Sequence, residues 1–389
     1  MKVFHQSSFD RWPFDDKSIQ AIMTSPPYYS LRKYDIPDII IGGNPECEHE
    51  WSMKRNDKTG GIGEASNKQV SCADNGGGFT SSSSCYFCNT WRGQYGLEPT
   101  YQLYIEHTLL WAKEAWRVLK DDGVFFLNIG DSWNGGKGKS SMAWSIQNQE
   151  RDTLQKSYTN LGGMGETRPL DMPQDVPSKC KLLIPHRVAI GLIEQGWILR
   201  NDIVWSKPNA MPESVRDRFS KKFEYIFMLS KTGKYYFDLD AVRLPESQST
   251  KQKIECEIKR INNSNGLPDY ETLKAGAAYK RPILPSMYRA TTYGDTTDAK
   301  TGNKVNPGDI WTINTQPSPE KHYAMWPESL VERMILCSTK SGDAILDPFA
   351  GSGCTLRVAD KLNRVAYGID LGYQDIQERR MTNIQKVLY

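Results

Sequence analysis

No stretch of this chain approaches the roughly 18 consecutive apolar residues that a helical membrane span needs, and residues 1–8 lack the apolar core of a secretory signal. Neither a membrane anchor nor an export leader is expected, so the protein is expected in the cytoplasm. Charge of one sign is scarce too. Lysine and arginine number 49 against 46 aspartate and glutamate, a net +3, which permits a nucleic-acid partner without requiring one. Aliphatic side chains thin out over 45–99, where glycine, serine and asparagine dominate, and such a composition cannot bury enough apolar surface to fold unaided. The remainder, with 38% hydrophobic and 24% charged residues overall, reads as a soluble globular protein long enough at 389 residues for two or three domains. Its eight cysteines suit a reducing compartment, as buried thiols or metal ligands rather than disulfides.

Against this background one stretch organises the rest. Thr24-Ser25-Pro26-Pro27-Tyr28-Tyr29 follows the apolar run Ala21-Ile22-Met23 and reads as the loop leaving a buried strand. Two successive prolines fix φ and remove two backbone donors, so their carbonyls cannot join a sheet ladder and can accept hydrogen bonds from another group. With a hydroxyl and two rings beside them, the set suits a planar base carrying an exocyclic amino group. Ser25 and a proline carbonyl would accept its N–H bonds while an aromatic ring covers its face. A plain Pro-Pro turn is the alternative.

A second motif lies near the other end. Ala344-Ile345-Leu346-Asp347-Pro348-Phe349-Ala350-Gly351-Ser352-Gly353-Cys354-Thr355 is an apolar strand entering a glycine-rich turn that opens a helix. The third glycine of a dinucleotide fingerprint is missing, because Leu356 holds its place, so no pyrophosphate is implied. Arg364-Val365-Ala366-Tyr367-Gly368-Ile369-Asp370 reads as the next strand, with a carboxylate at its C-terminal end that can take both hydroxyls of a ribose.

Together, Ser-Pro-Pro-Tyr followed by Asp-Pro-Phe-x-Gly-Ser-Gly resembles the S-adenosylmethionine-dependent DNA amino-methyltransferases in the permuted order called the β class. The resemblance covers about two thirds of the chain. It implies an α/β fold, a Rossmann-like, mostly parallel methyltransferase sheet that brings the two motifs side by side although they lie more than 300 residues apart. It also implies that Ser25, Pro26, Pro27 and Tyr28 face the base, and that Asp347, Phe349, Gly351, Gly353, Thr355 and Asp370 serve the cofactor. The segment His322-Tyr323-Ala324-Met325-Trp326-Pro327 resembles one lying against the cofactor, which adds Trp326. S-adenosyl-L-methionine is the implied cofactor and double-stranded DNA the implied partner, with room for a separately encoded cognate restriction endonuclease. Serine at the first motif position goes mostly with cytosine N4 in this family, whereas aspartate or asparagine usually accompanies adenine N6. Cytosine N4 is therefore expected and adenine N6 is the alternative. More distant alternatives are a protein amide N-methyltransferase, which would show asparagine before the prolines and the cofactor motif first, and a DNA-binding module with a relic fold, against which both complete motifs argue.

Within the aliphatic-poor stretch, Cys47-Glu48-His49 and Cys85-Tyr86-Phe87-Cys88 form two knuckles. Zinc accepts three cysteines and a histidine tetrahedrally, and would cross-link a segment without a core of its own. Cys47, His49, Cys85 and Cys88 are the candidate ligands, Cys72 is a spare should His49 not ligate, and free thiols are the other reading. Nothing suggests catalytic zinc, so loss of a structural ion outside the sheet is expected to destabilise 45–98 without abolishing cofactor binding.

The domain reading follows. Residues 1–44 carry the catalytic motif, 45–98 the zinc insertion, 99–242 further methyltransferase core with a mobile loop over 134–179, 243–306 a target-recognition region, and 307–389 the cofactor motifs. Apolar spacing predicts helices over 100–120 and 184–195, and strands over 124–131, 197–205 and 309–313. Asn128 and Asp131 fall at a strand end, as ligands or as simple caps. Residues 223–230 and 234–238 read as an antiparallel hairpin closing a sheet edge. The 243–306 interval holds eleven Lys or Arg against seven Asp or Glu, interleaved with Tyr270, Tyr279, Tyr288 and Tyr293; the basic residues can supply phosphate affinity.

Overall fold

The computed structural model describes residues 1–44, 46–55, 79–85, 87–88, 90–134, 176–245, 304–316 and 326–381. Most of the expected mobile loop, most of the target-recognition region with its four tyrosines, the spare Cys72 and His322 lie outside the described residues.

The described strands are β1 (Lys2–Phe4), β2 (Ile19–Thr24), β3 (Ile39–Ile41), β4 (Trp51–Arg55), β5 (Phe79–Cys85), β6 (Trp91–Gly93), β7 (Leu119–Ile129), β8 (Ile198–Ser206), β9 (Phe223–Ser230), β10 (Leu244–Pro245), β11 (Lys304–Val305), β12 (Ile310–Thr312), β13 (Ala344–Asp347) and β14 (Val365–Ile369). Five helices join them: α1 (Tyr101–Val118), α2 (Ile184–Glu194), α3 (Glu328–Ser338), α4 (Cys354–Lys361) and α5 (Gln374–Met381). None of them is long and apolar enough to cross a membrane.

Eight strands form one sheet in the order β1-β14-β13-β2-β7-β9-β8-β12. From β1 to β7 neighbours run parallel, β9 is antiparallel to both β7 and β8, and β12 returns to parallel beside β8. All six residues of β2 are buried, which requires cover on both faces. The period-2 alternation of the central strands supplies it. Ile22, Phe125, Leu127, Phe227 and Leu346 pack with Trp111, Val188 and Leu192 of α1 and α2. Ala21, Met23, Val124, Phe126 and Ile345 pack with Leu330, Val331, Met334 and Leu356 of α3 and α4.

Two expectations change here. The strand expected from 124 starts at Leu119, directly from the helix end, and a register shift between Ile19 and Ala21 absorbs the Asp121-Asp122-Gly123 segment. The hairpin partner of β9 is β8, paired from Ile198↔Ser230 to Ser206↔Phe223, and 234–238 is not a strand. That segment is drawn elsewhere, since Tyr236 N donates to Asp122 O at 2.9 Å and Asp238 N to Cys337 O at 2.7 Å. The antiparallel pair therefore lies inside the sheet, and β12 forms the edge.

The permuted motifs meet as the resemblance implied. β2 and β13 are neighbours in register, Ala21 opposite Ile345 and Ile22 opposite Leu346. Both loops consequently leave the same sheet edge at the carboxyl ends of adjacent parallel strands, where such sheets bind ligands.

Candidate active site

β2 ends in Thr24, whose hydroxyl donates to Asp347 Oδ1 at 2.8 Å across the two strand ends. Asp347 also accepts from Thr355 Oγ1 at 2.6 Å and from the Phe349 N–H at 3.1 Å. One carboxylate thus fixes the end of β2, the start of the glycine turn and the first turn of α4. Burial pushes its pKa up from 3.8 to about 6, against the pull of Thr355 and Thr24. Its contacts make Asp347 a positioning group at the cavity wall.

The glycine turn uses backbone freedom. Gly351 and Gly353 have φ of 50° and 78°, in the left-handed region, and Gly353 forms the N-cap of α4. Gly351 N donates to Asp370 Oδ2 at 2.6 Å, and Gly372 N to Asp370 Oδ1 at 2.9 Å. Gln377, almost wholly buried, donates from Nε2 to Gly351 O at 2.6 Å. Burial raises the Asp370 pKa, with the Gly372 and Gly351 N–H groups opposing it.

The proline corner is held by side chains. Tyr28 OH has Asn128 Oδ1 at 2.8 Å and Glu224 Oε2 at 2.9 Å as acceptors for its one proton, and Ser25 Oγ lies 3.2 Å from Tyr28 OH and 3.3 Å from Asn128 Oδ1. Asn128, fully buried on β7, also accepts from Trp326 Nε1 at 3.0 Å and donates to Tyr225 O at 2.9 Å. Glu224 is bridged by Lys207 Nζ at 2.5 Å. Burial would raise its pKa, but Lys207 and Lys221 more than offset that and hold it down, so it is ionised. Tyr28 is pushed far up by burial and then by Glu224, so it stays a phenol that donates. Its ring packs against Gly130, where a Cβ would come within 2.4 Å of it. The two proline carbonyls differ: Tyr104 OH donates to Pro27 O at 2.9 Å, whereas among the described residues the Pro26 carbonyl has no donor.

Both corners open into one cavity. Ser25, Pro26, Pro27 and Tyr28 border it together with Trp326, Asp347, Phe349, Gly351, Thr355 and Asp370. Gly353 does not line it and acts through the turn. Trp326 joins the halves, since its indole bonds Asn128 while its carbonyl accepts from Cys354 Sγ at 3.3 Å at the start of α4.

Sequence reasoning missed Glu224 altogether, although a lone acid in the apolar run Phe223-Glu224-Tyr225-Ile226-Phe227 was a signal. It also missed Gln94 and Tyr95, which line the opposite wall. Asn128 was weighed only as a ligand or cap and proves to be the hub of the corner. Asp131 is a cap, accepting the Ile184 N–H at 3.0 Å where α2 begins.

Away from this cavity, Cys47, His49, Cys85 and Cys88 converge, with one ligating atom from each within 4.8 Å of all the others. Cys47 Sγ and Cys85 Sγ are 3.9 Å apart, close to the separation of about 3.8 Å that two thiolates at 2.3 Å from a tetrahedral zinc would have.

An open, mostly parallel sheet with an acceptor-lined corner and a carboxylate-braced glycine turn sharing one cavity defines a Rossmann-like methyltransferase in permuted order. Comparison with known proteins places it further. The family described as DNA methylase, covering N6 and N4 enzymes, matches residues 19–378. The type II methyltransferase M.SmaI of Serratia marcescens is 32% identical over 291 residues, 74% of this chain and 77% of that protein. M.Cfr9I of Citrobacter freundii is 32% identical over 300 residues, 76% of this chain and 78% of that one. Among solved structures, the PvuII DNA methyltransferase, named as cytosine-N4-specific, shares the fold with a TM-score of 0.51 at 16% identity, covering 99% of this chain and 88% of that one. The chain belongs to the N6/N4 DNA methylase family and is a β-class DNA amino-methyltransferase.

Proposed function

We propose that this enzyme moves the methyl group of S-adenosyl-L-methionine to the N4 amino group of a cytosine flipped out of double-stranded DNA. The observation that carries the reading is the continuity of the cavity, bordered by Ser25, Pro26 and Tyr28 on one side and by Gly351, Thr355 and Asp370 on the other. The donor set fits the cofactor. Each Asp370 oxygen accepts one backbone N–H and keeps a second lone pair, which suits a ribose hydroxyl. Trp326 and the apolar wall opposite would take the adenine or methionine part. When bound, the cofactor supplies a sulfonium methyl already activated for transfer, so the protein has mainly to position the acceptor.

Ser25 Oγ, donating toward Asn128, keeps lone pairs for one amino N–H, and the Pro26 carbonyl is open for the other. Two such bonds draw the conjugated nitrogen toward tetrahedral form and aim its lone pair along the cavity. The proton then leaves to solvent. Tyr28 offers a ring to the extruded base, replacing the stacking lost from the duplex. Serine at position 25 favours cytosine over adenine. The same reading takes 243–306 for target recognition and the cytoplasm, with its DNA, as the place of action, and includes a separately encoded cognate nuclease. It also includes one structural zinc at Cys47, His49, Cys85 and Cys88, supported by the convergence of those four groups.

The test is to incubate the protein with labelled cofactor and DNA, digest to nucleosides and identify the product by mass spectrometry. N4-methylcytosine is expected. N6-methyladenine would move the assignment to the other base, and label in protein or nowhere would refute DNA methylation.

A further inference from the structure

The zinc insertion looked remote from the chemistry in sequence, and the structure puts it one strand from the cofactor cavity. We propose that a zinc ion held by Cys47, His49, Cys85 and Cys88 fixes the outer wall of that cavity and so sets cofactor affinity, an inference that rests on reading the cavity as the S-adenosylmethionine site.

The wall is the segment that follows the proline corner. Leu31, Tyr34, Ile36, Pro37 and Ile39 face the cavity from it, and it contains no helix or strand before β3. Gln94 clamps its middle, donating from Nε2 to Ile36 O at 2.6 Å and accepting the Tyr34 N–H at 3.1 Å. Its far end is β3, whose ladder partner is β6, with Ile39 opposite Gly93 and Ile41 opposite Trp91. Gln94 itself directly follows β6.

The cluster grips the base of that β3–β6 pair. Cys88 Sγ lies 2.9 Å from Thr90 Oγ1, and the same hydroxyl donates to Gly42 O at 3.3 Å, bridging the residue before β6 to the residue after β3. Cys85 N donates to Thr90 O at 2.8 Å. Gly43 packs so closely here that a Cβ would meet Thr90 Oγ1 at 1.5 Å and Cys88 Sγ at 3.2 Å, on a backbone of φ 78° that already favours glycine. Cys47 and His49 follow within a few residues. A metal binding all four groups therefore closes a loop whose two ends are β3 and β6, and its removal leaves the short β3–β6 ladder and the Gln94 clamp to hold the wall without that closure.

The body of the protein does not need this closure. Trp91 and Ile41 are buried in the main core and hold β6 and the root of β3 by themselves. Loss of metal is thus a local event that lowers the fraction of molecules with the wall in place, and ligand affinity falls by that fraction.

The experiment uses full-length protein purified without chelator, elemental analysis and calorimetric titration with S-adenosylmethionine. We expect one zinc per chain. Stripping it, or Cys88→Ser, should weaken cofactor binding about tenfold, as when the closed wall is populated in about a tenth of molecules, while cooperative thermal unfolding of the core persists. Zinc should restore the stripped protein but not the variant. Gln94→Leu, which cuts the clamp and leaves the cluster alone, should weaken binding with zinc retained. Zinc present but affinity unchanged on its removal overturns the coupling and leaves a structural ion. No zinc in the wild type overturns the metal centre. Zinc-replete wild type that takes no cofactor refutes instead the cofactor reading beneath this inference.

Discussion

The loops after β2 and β13 leave neighbouring parallel strands at one sheet edge, and they are built in opposite ways. The β2 loop spends its sequence on proline, which removes N–H donors and stiffens the chain, and its side chains are tied to β7 and β9 through Asn128 and Glu224. The β13 loop uses glycine, which admits positive φ, and its backbone is tied to Asp370 and Gln377. One presents acceptors and the other a carboxylate-braced turn. The difference matches an amino group that brings donors on one side and a ribose that brings hydroxyls on the other. Thr24 and Asp347 bridge the two, so the division of labour is local although the loops share a wall.

The comparison breaks most visibly if Asp370 is removed. Asp370→Ala should weaken cofactor binding by about 1.5–3 kcal/mol, the range for a hydrogen bond to a charged group, and leave the single-turnover rate at saturating cofactor near wild type. Calorimetry and rapid quench check the two halves. Unchanged affinity would take Asp370 out of the cofactor site.

On the opposite side, Tyr28→Phe keeps the ring and leaves Asn128 and Glu224 without its hydroxyl, so methyl transfer should slow by about 1 kcal/mol. Tyr28→Ala should additionally lose the stacking contact, about 1–3 kcal/mol for a base on an aromatic ring. Equal rates for Phe and Ala variants would mean that the ring does not meet the base. Cofactor affinity should stay unchanged in both.

Smaller effects sharpen the bridge. Thr24→Val removes one buried hydrogen bond and should cost about 1 kcal/mol of stability in denaturant titration, with neither loop's ligand selectively lost. Asp347 provides the pH signature. Burial raises its folded pKa to about 6 from 3.8, so the folded state holds the proton more tightly than the unfolded one. Its contribution to stability is fully present below pH 3.8 and is lost as pH rises to about 6. Wild type should therefore lose stability relative to Asp347→Asn across that interval, measured as the difference in Tm. A difference that is flat with pH would refute the raised pKa.

Much of this was legible in the chain, and what was not has a physical pattern. Runs such as Val124-Phe125-Phe126-Leu127 and Ala344-Ile345-Leu346 mark strands because burial on both faces leaves no alternation to confuse, and both loops declare themselves by proline and glycine. The partner of β9 was misread because 234–238 follows it closely in sequence, while its actual neighbours are set by sheet order. The corner's network escaped for the same reason. Tyr104 reaches the Pro27 carbonyl across 77 residues and Glu224 reaches Tyr28 across 196, and no local spacing records such pairs. The convergence of Cys47, His49, Cys85 and Cys88 was readable because two short knuckles carry their own pattern, but their link to the cavity runs through Thr90, Gln94 and the β3–β6 ladder, which only the fold reveals.

The most direct test of the central claim, that the acceptor corner acts on the base and the glycine turn on the cofactor, is Ser25→Ala measured in one preparation for cofactor affinity, DNA affinity and single-turnover methyl transfer. The hydroxyl bond matters most when the amino nitrogen becomes tetrahedral, so the rate should fall at least about tenfold with both affinities near wild type. Transfer at the wild-type rate, or a loss of cofactor affinity that accounts for the whole defect, would contradict it.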